Sequence, residues 1–109
     1  MTLDEVQMFV RAQSAESMSV TNAHRIKLEQ AIISPQKISL FCRTVVDGRV
    51  TDSTASVWLV GQEALSGGYK IVMQEDGRQF GLASTGFAHD KHLVLDGWYG
   101  TLLSAFLAM

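Results

Sequence analysis

Apolar residues recur at spacings of three and four at the start of the chain. Leu3, Val6 and Val10 form one series, and Met8, Ala12 and Ala15 form another. That period is helical, and it predicts a helix over about residues 3–17. Thr2 followed by Glu5 fits a capping box, in which the threonine oxygen accepts one free helix N–H and the glutamate reaches back to another. Asp4 favours the positive end of the helix dipole. The following "SMSVTN" weakens the helix, because serine, threonine and asparagine compete for backbone hydrogen bonds and valine is β-branched. Thr21 or Asn22 can then cap a second helix, "AHRIKLEQAII". Its apolar face would hold His24, Leu28, Ala31 and Ile32, with Ile26 and Ile33 beside them. Pro35 disfavours helix at Ser34 and marks the exit. A helical hairpin is the first expectation, and one long bent helix is the alternative.

From Lys37 the period changes to two. "KISLFCRTVV" and "RVTDSTASVWLV" flank Asp47-Gly48, the signature of a two-residue turn with positive φ at both positions. Such a turn leaves a single register: Val45 faces Val50, Arg43 faces Asp52, Phe41 faces Thr54 and Leu40 faces Ala55. Opposite charges at Arg43 and Asp52 agree with it. A second hairpin is expected at Asp76-Gly77, with Glu75 facing Arg78, Met73 facing Phe80 and Ile71 facing Leu82. Tyr69, Ile71, Met73, Phe80 and Leu82 would share one face. Lys70, Val72, Gln74 and Gln79 would share a largely polar face in water.

The first hairpin carries apolar groups on both faces. Ile38, Leu40, Cys42, Ala55, Val57 and Leu59 lie on one, and Phe41, Val45, Val50 and Trp58 on the other. The N-terminal helices can cover one face, and the other needs the C-terminal segment or another subunit.

"GQEALSGG" has room for a single helical turn, "TGFAHD" reads as a loop, and "HLVL" as a short buried strand. Asp96-Gly97 then allows two readings: a third hairpin, or the cap of a helix "GWYGTLLSAFLAM". The helix is preferred because Leu102, Leu103, Ala105, Phe106 and Leu107 lack strand alternation. With only Thr101 and Ser104 to face water, it should be buried nearly all round. The predicted fold is α+β, a single domain over 1–109. It comprises an N-terminal helical hairpin or bent helix, an antiparallel sheet of about four to five strands built from two Asp-Gly hairpins, and an apolar C-terminal helix packed on the sheet.

Composition narrows the function. Charged residues are only 18% of the chain, which raises the share of surface free to be buried in a partner. The basic residues are scattered from Arg11 to Lys91, with no stripe to follow a phosphate backbone, so nucleic acid is not an expected partner. No apolar run approaches the length of a membrane helix, and the N-terminus lacks the pattern of a signal peptide. Cys42 is the only cysteine, which suits a reducing cytoplasm.

The most chemical-looking segment is "AHDKH", with His89, Asp90 and His92. A metal site needs three or four converging ligands, and His-x-x-His supplies two. A polar loop with ordinary histidines is the simpler reading. Cys42 could be a nucleophile only with a base beside it, and its strand position reads as core. His24 reads as a half-buried histidine. Ser84 lacks the Gly-x-Ser-x-Gly spacing of a nucleophile elbow, and no Gly-Lys-Ser/Thr follows "SGG" at 66–68. No catalytic residue, metal ligand or cofactor is therefore assigned.

Two functional readings remain. The first is a non-enzymatic interaction or structural module forming a homo-oligomer, a dimer first, through Phe41, Val45, Val50, Trp58 or Phe106. The second is a binding protein, or a weak enzyme, for a small apolar ligand held between sheet and C-terminal helix. Tyr69, His92, Trp98 and Tyr99 would line its pocket.

Overall fold

The computed structural model of the chain describes residues 1–63, 68–85 and 93–109, with Thr44 and Thr85 described by backbone alone. In order, the elements are α1 (Leu3–Ser14), α2 (Leu28–Ala31), β1 (Ile32–Val46), β2 (Arg49–Gln62), β3 (Lys70–Gln74), β4 (Phe80–Thr85), β5 (Leu93–Gly100) and α3 (Leu102–Ala108). The molecule is α+β, its sheet is mostly antiparallel, and the C-terminal helix packs on that sheet.

The sheet is not open. Its strands follow one another as a meander and close into a barrel in the order β1-β2-β3-β4-β5. Each strand is antiparallel to the next, so an odd number of strands leaves the last running the same way as the first. The seam must therefore be parallel, and there Phe41 lies opposite Val94. Closure explains where the two apolar faces of the first hairpin go. One cluster draws on all the strands, with Leu40, Val57, Leu59, Val72 and Ala83 at its centre, and fills the interior. A second cluster lies outside the wall. There Trp58, Val60, Ile71, Met73, Phe80 and Leu82 are covered by Val6 and Val10 of α1, Leu28 of α2 and Phe106 of α3. Burying each of the larger side chains is worth roughly 1.5–3 kcal/mol. The expected wet face of β3 and β4 is corrected by the same closure: Val72 points into the barrel and is fully buried.

Helix α1 carries the capping box, with Thr2 Oγ1 accepting from Glu5 N at 3.3 Å and Glu5 Oε1 accepting from Thr2 N at 2.9 Å. These bonds hold the Glu5 carboxyl below its usual range. Of the two apolar series only Val6 and Val10 face the core, whereas Leu3, Met8, Ala12 and Ala15 face solvent. The helix ends at Ser14, whose hydroxyl donates back to the Val10 carbonyl at 2.8 Å.

The N-terminal helical hairpin does not form, nor does a long bent helix. Asn22 stops it. Its side-chain oxygen accepts from the N–H groups of His24 (3.0 Å) and Ile26 (3.2 Å), and Arg25 adopts φ 63°. A residue in the left-handed region cannot continue a helix. The segment becomes a turn closed by a bridge between Thr21 and Lys27, and helix survives only over Leu28–Ala31. The β-branched Ile32 and Ile33 then open β1. Pro35 lies inside that strand, where the register shifts between Ile32 and Gln36. A bulge is one of the few strand positions that tolerate a residue without an N–H.

Asp47 (φ 51°) and Gly48 (φ 75°) join β1 to β2, with Val46 opposite Arg49 and Arg43 opposite Asp52. The β3–β4 pairing has Met73 opposite Phe80 and Ile71 opposite Leu82. Its turn differs from the expected two residues. Gln74 N donates to Gln79 O, Gly77 N donates to Gln74 O, and only Gly77 has positive φ. Asp76 instead accepts the Arg78 N–H on its side chain at 3.0 Å, which builds a four-residue loop.

Asp96-Gly97 is neither a third hairpin nor a cap. Both residues lie within β5, and the register steps from Leu82–Gly97 to Ala83–Leu95, leaving Asp96 as a bulge. The helix starts later, capped by Thr101 Oγ1 accepting from Ser104 N at 3.1 Å. Nor is α3 buried all round: Leu102, Ala105 and Phe106 face the core, and Leu107 is exposed. Among the described residues no helix is long and apolar enough to cross a membrane.

Candidate functional site

The first hairpin is longer than the barrel needs. Strand β2 pairs with β3 only from Val57 to Gln62, so Arg49–Ser56 runs on beyond the wall. Over Arg43–Thr54 every described side chain is exposed. The hairpin therefore stands out as an arm. Its left-handed turn matches the twist of the strands, and β-branched residues favour extension along both of them. Val45 and Val50 sit opposite each other, 66% and 61% exposed, with Val46 beside them at 56%. Next toward the barrel, Arg43 Nε lies 2.9 Å from Asp52 Oδ1. That hydrogen bond, and the charge behind it, push the Arg43 pKa up. Phe41 is half-buried at the base of the arm.

Cys42 lies half-buried at the rim of the barrel interior. Burial pushes its thiol up, away from the thiolate a nucleophile needs.

His24 is not on a helical apolar face. It is exposed in the Asn22 turn, with Nδ1 2.5 Å from Glu63 Oε1 and its ring stacked at 6.5 Å on Tyr69. The other Glu63 oxygen accepts the Tyr69 N–H at 3.1 Å. This cluster ties the turn to the end of the barrel. Among the described residues no group of histidine, cysteine and carboxylates is placed to hold a metal ion. His89, Asp90 and His92 lie outside the described residues, as do residues 64–67.

The remaining residues singled out from the sequence do not share one place. Tyr69 packs against the helix-covered cluster, whereas Trp98 packs against the barrel interior, on the other side of the strand wall. Tyr99 is exposed, its ring close to Gly97. Trp58 and Phe106 are buried in the helix-covered core, which leaves Val45 and Val50 as the fully solvent-facing members of the expected interface set. The space between strands and α3 holds Leu102, Ala105 and Phe106, packed with Ile71 and Phe80.

Sequence reasoning missed a cleft of about 200 Å³ between α1 and the start of β1. Val10, Ile33 and Pro35 form apolar walls, and Gln7, Arg11 and Ser34 bring polar groups to it. The available signal was Pro35 within a β-branched run, which marks a bulge as readily as a helix exit. Comparison with protein-family models, curated proteins and solved structures finds no match to the chain.

Proposed function

We propose that the protein is a non-enzymatic interaction module that self-associates through the β1–β2 arm. One observation carries this reading: the arm leaves the barrel with Val45, Val46 and Val50 in solvent, whereas Leu40, Val57, Val60, Ile71 and Val72 in the body of the sheet are buried in the barrel interior or under the helices. Among the described residues Arg49–Ser56 pairs with no strand but β1, and an exposed hairpin of this kind is a template for pairing with another chain. A second copy fits the charge pattern. Arg43 and Asp52 sit side by side on one arm, so a two-fold axis can set each against its opposite on the other. A stable dimer buries about 1,000 Å² or more in total, beyond what exposed valines supply alone, so the backbone of β2 beyond its pairing with β3 takes part. A reducing cytoplasm suits a chain whose only cysteine is Cys42.

Light scattering at micromolar concentration tests the proposal. The expected mass is twice the 12.0 kDa of the chain, falling to the single-chain value in a Val45→Thr/Val50→Thr variant with an unchanged circular dichroism spectrum. A parent protein that stays at the single-chain mass sinks it.

A further inference from the structure

We propose that the cleft between α1 and β1 binds a small monocarboxylate with a short branched apolar tail. The cleft holds about 200 Å³, the scale of such a molecule rather than of a nucleotide or an extended peptide. Its floor is formed by apolar residues that are themselves mostly buried, so the accessible lining is mixed, polar at the rim and apolar beneath. Val10 is almost fully buried, and Pro35 is buried at a fixed φ where β1 bulges. Ile32 and Ile33 are half-buried on either side, each anchored in a different core cluster. Their exposed edges give a short apolar tail a small contact surface.

The rim supplies the polar half of the match. Among the described residues Arg11 is the only charged one lining the cleft. Its guanidinium makes no ion pair with the described residues, in contrast to Arg43 and Arg78, which hold Asp52 and Asp76. Gln7 lies one helical turn before Arg11, so both side chains project on the same side of α1. The side chains of Gln7 and Ser34 also make no hydrogen bond with the described residues. A planar guanidinium matches a carboxylate in bidentate geometry, and two neutral donors can complete its shell. One cation with apolar walls selects against phosphate, which needs several donors or charges.

The site is separate from the arm, so the two proposals stand or fall independently. The test is an NMR titration of the amide resonances with 4-methylpentanoate, its neutral analogue 4-methylpentanamide, and inorganic phosphate. Saturable shifts are expected from the carboxylate, centred on Val10, Ile33 and Ser34. The amide and the phosphate should each bind about tenfold or more weakly. Arg11→Gln should weaken carboxylate binding by about tenfold or more, and Arg11→Lys by less, because it keeps the charge and loses the fork. Arg11 is exposed, so both variants should keep the parent spectrum elsewhere. Equal binding of carboxylate and amide overturns the proposal. So does equal binding of phosphate, an unaffected Arg11→Gln variant, or an absence of shifts at the cleft.

Discussion

Gly81 shows how a single residue sets the end of the barrel. A Cβ built there would lie 2.4 Å from the Gly97 carbonyl oxygen and 2.6 Å from Trp98 Cε3. The indole of Trp98 rests on a bare stretch of backbone, and nothing larger than hydrogen fits beneath it. Gly81→Ala is therefore expected to cost about 1–3 kcal/mol, read as a lower urea midpoint at constant slope. The glycine's neighbours Phe80 and Leu82 announce a strand in the sequence, but its own role is silent there. It depends on a tryptophan that β5 brings alongside. Asn22 is illegible for a similar reason. As a sequence letter it is a helix cap, and in the structure its Oδ1 holds a turn while its Nδ2 reaches the Phe106 carbonyl at 3.4 Å. One of its partners is at the other end of the chain.

Local chemistry decides the elements that stand by themselves. The capped start of α1 depends on Thr2 and Glu5, three residues apart, and was legible in the sequence, whereas the equally local cap of α3 lies at Thr101 and not at the expected Asp96. The arm likewise rests on neighbouring residues. Gly48 has φ 75° with nothing within 4 Å of a built Cβ, so a side chain there meets backbone strain and no clash. Gly48→Ala should cost about 1–2 kcal/mol. Because the described side chains of the arm are exposed from Arg43 to Thr54, that loss should appear locally. Hydrogen exchange at Val46 and Arg49 is expected to quicken, while Leu40 and Val57 keep their protection. Equal acceleration at all four amides would mean that the arm is part of the cooperative core. The C-terminal segment was read less well because Asp-Gly has several local meanings, and here the bulge at Asp96 overrides both the turn and the cap.

At the scale of the whole molecule, the α+β class and the packed terminal helix followed from periodicity, whereas closure of the sheet did not. The pair that closes it, Phe41 with Val94, is parallel and has no turn between its strands to betray it. Without closure, the alternating residues of the first hairpin looked like two faces in need of cover. With it, one face becomes the lining of a barrel, and the uncovered remainder shrinks to the arm. If arms pair between copies, folding and association are linked. The thermal midpoint should then rise with protein concentration in the parent and stay constant in the Val45→Thr/Val50→Thr variant. Calorimetry over a tenfold or wider concentration range reads this, and a constant parent midpoint would contradict the coupling. The parallel seam also has a consequence in time. Hairpins such as β1–β2 close in roughly 1–10 μs, since their strands are joined at the turn. The seam must wait for the most distant strand, and loop closure over that span is an entropic cost met late. Until β5 arrives, Leu40, Val57 and Val72 line an open trough. The topology therefore predicts an order of events, with amides of the arm protected early in refolding and those of the barrel last, which pulse-labelled hydrogen exchange at Val46 and Val72 would check.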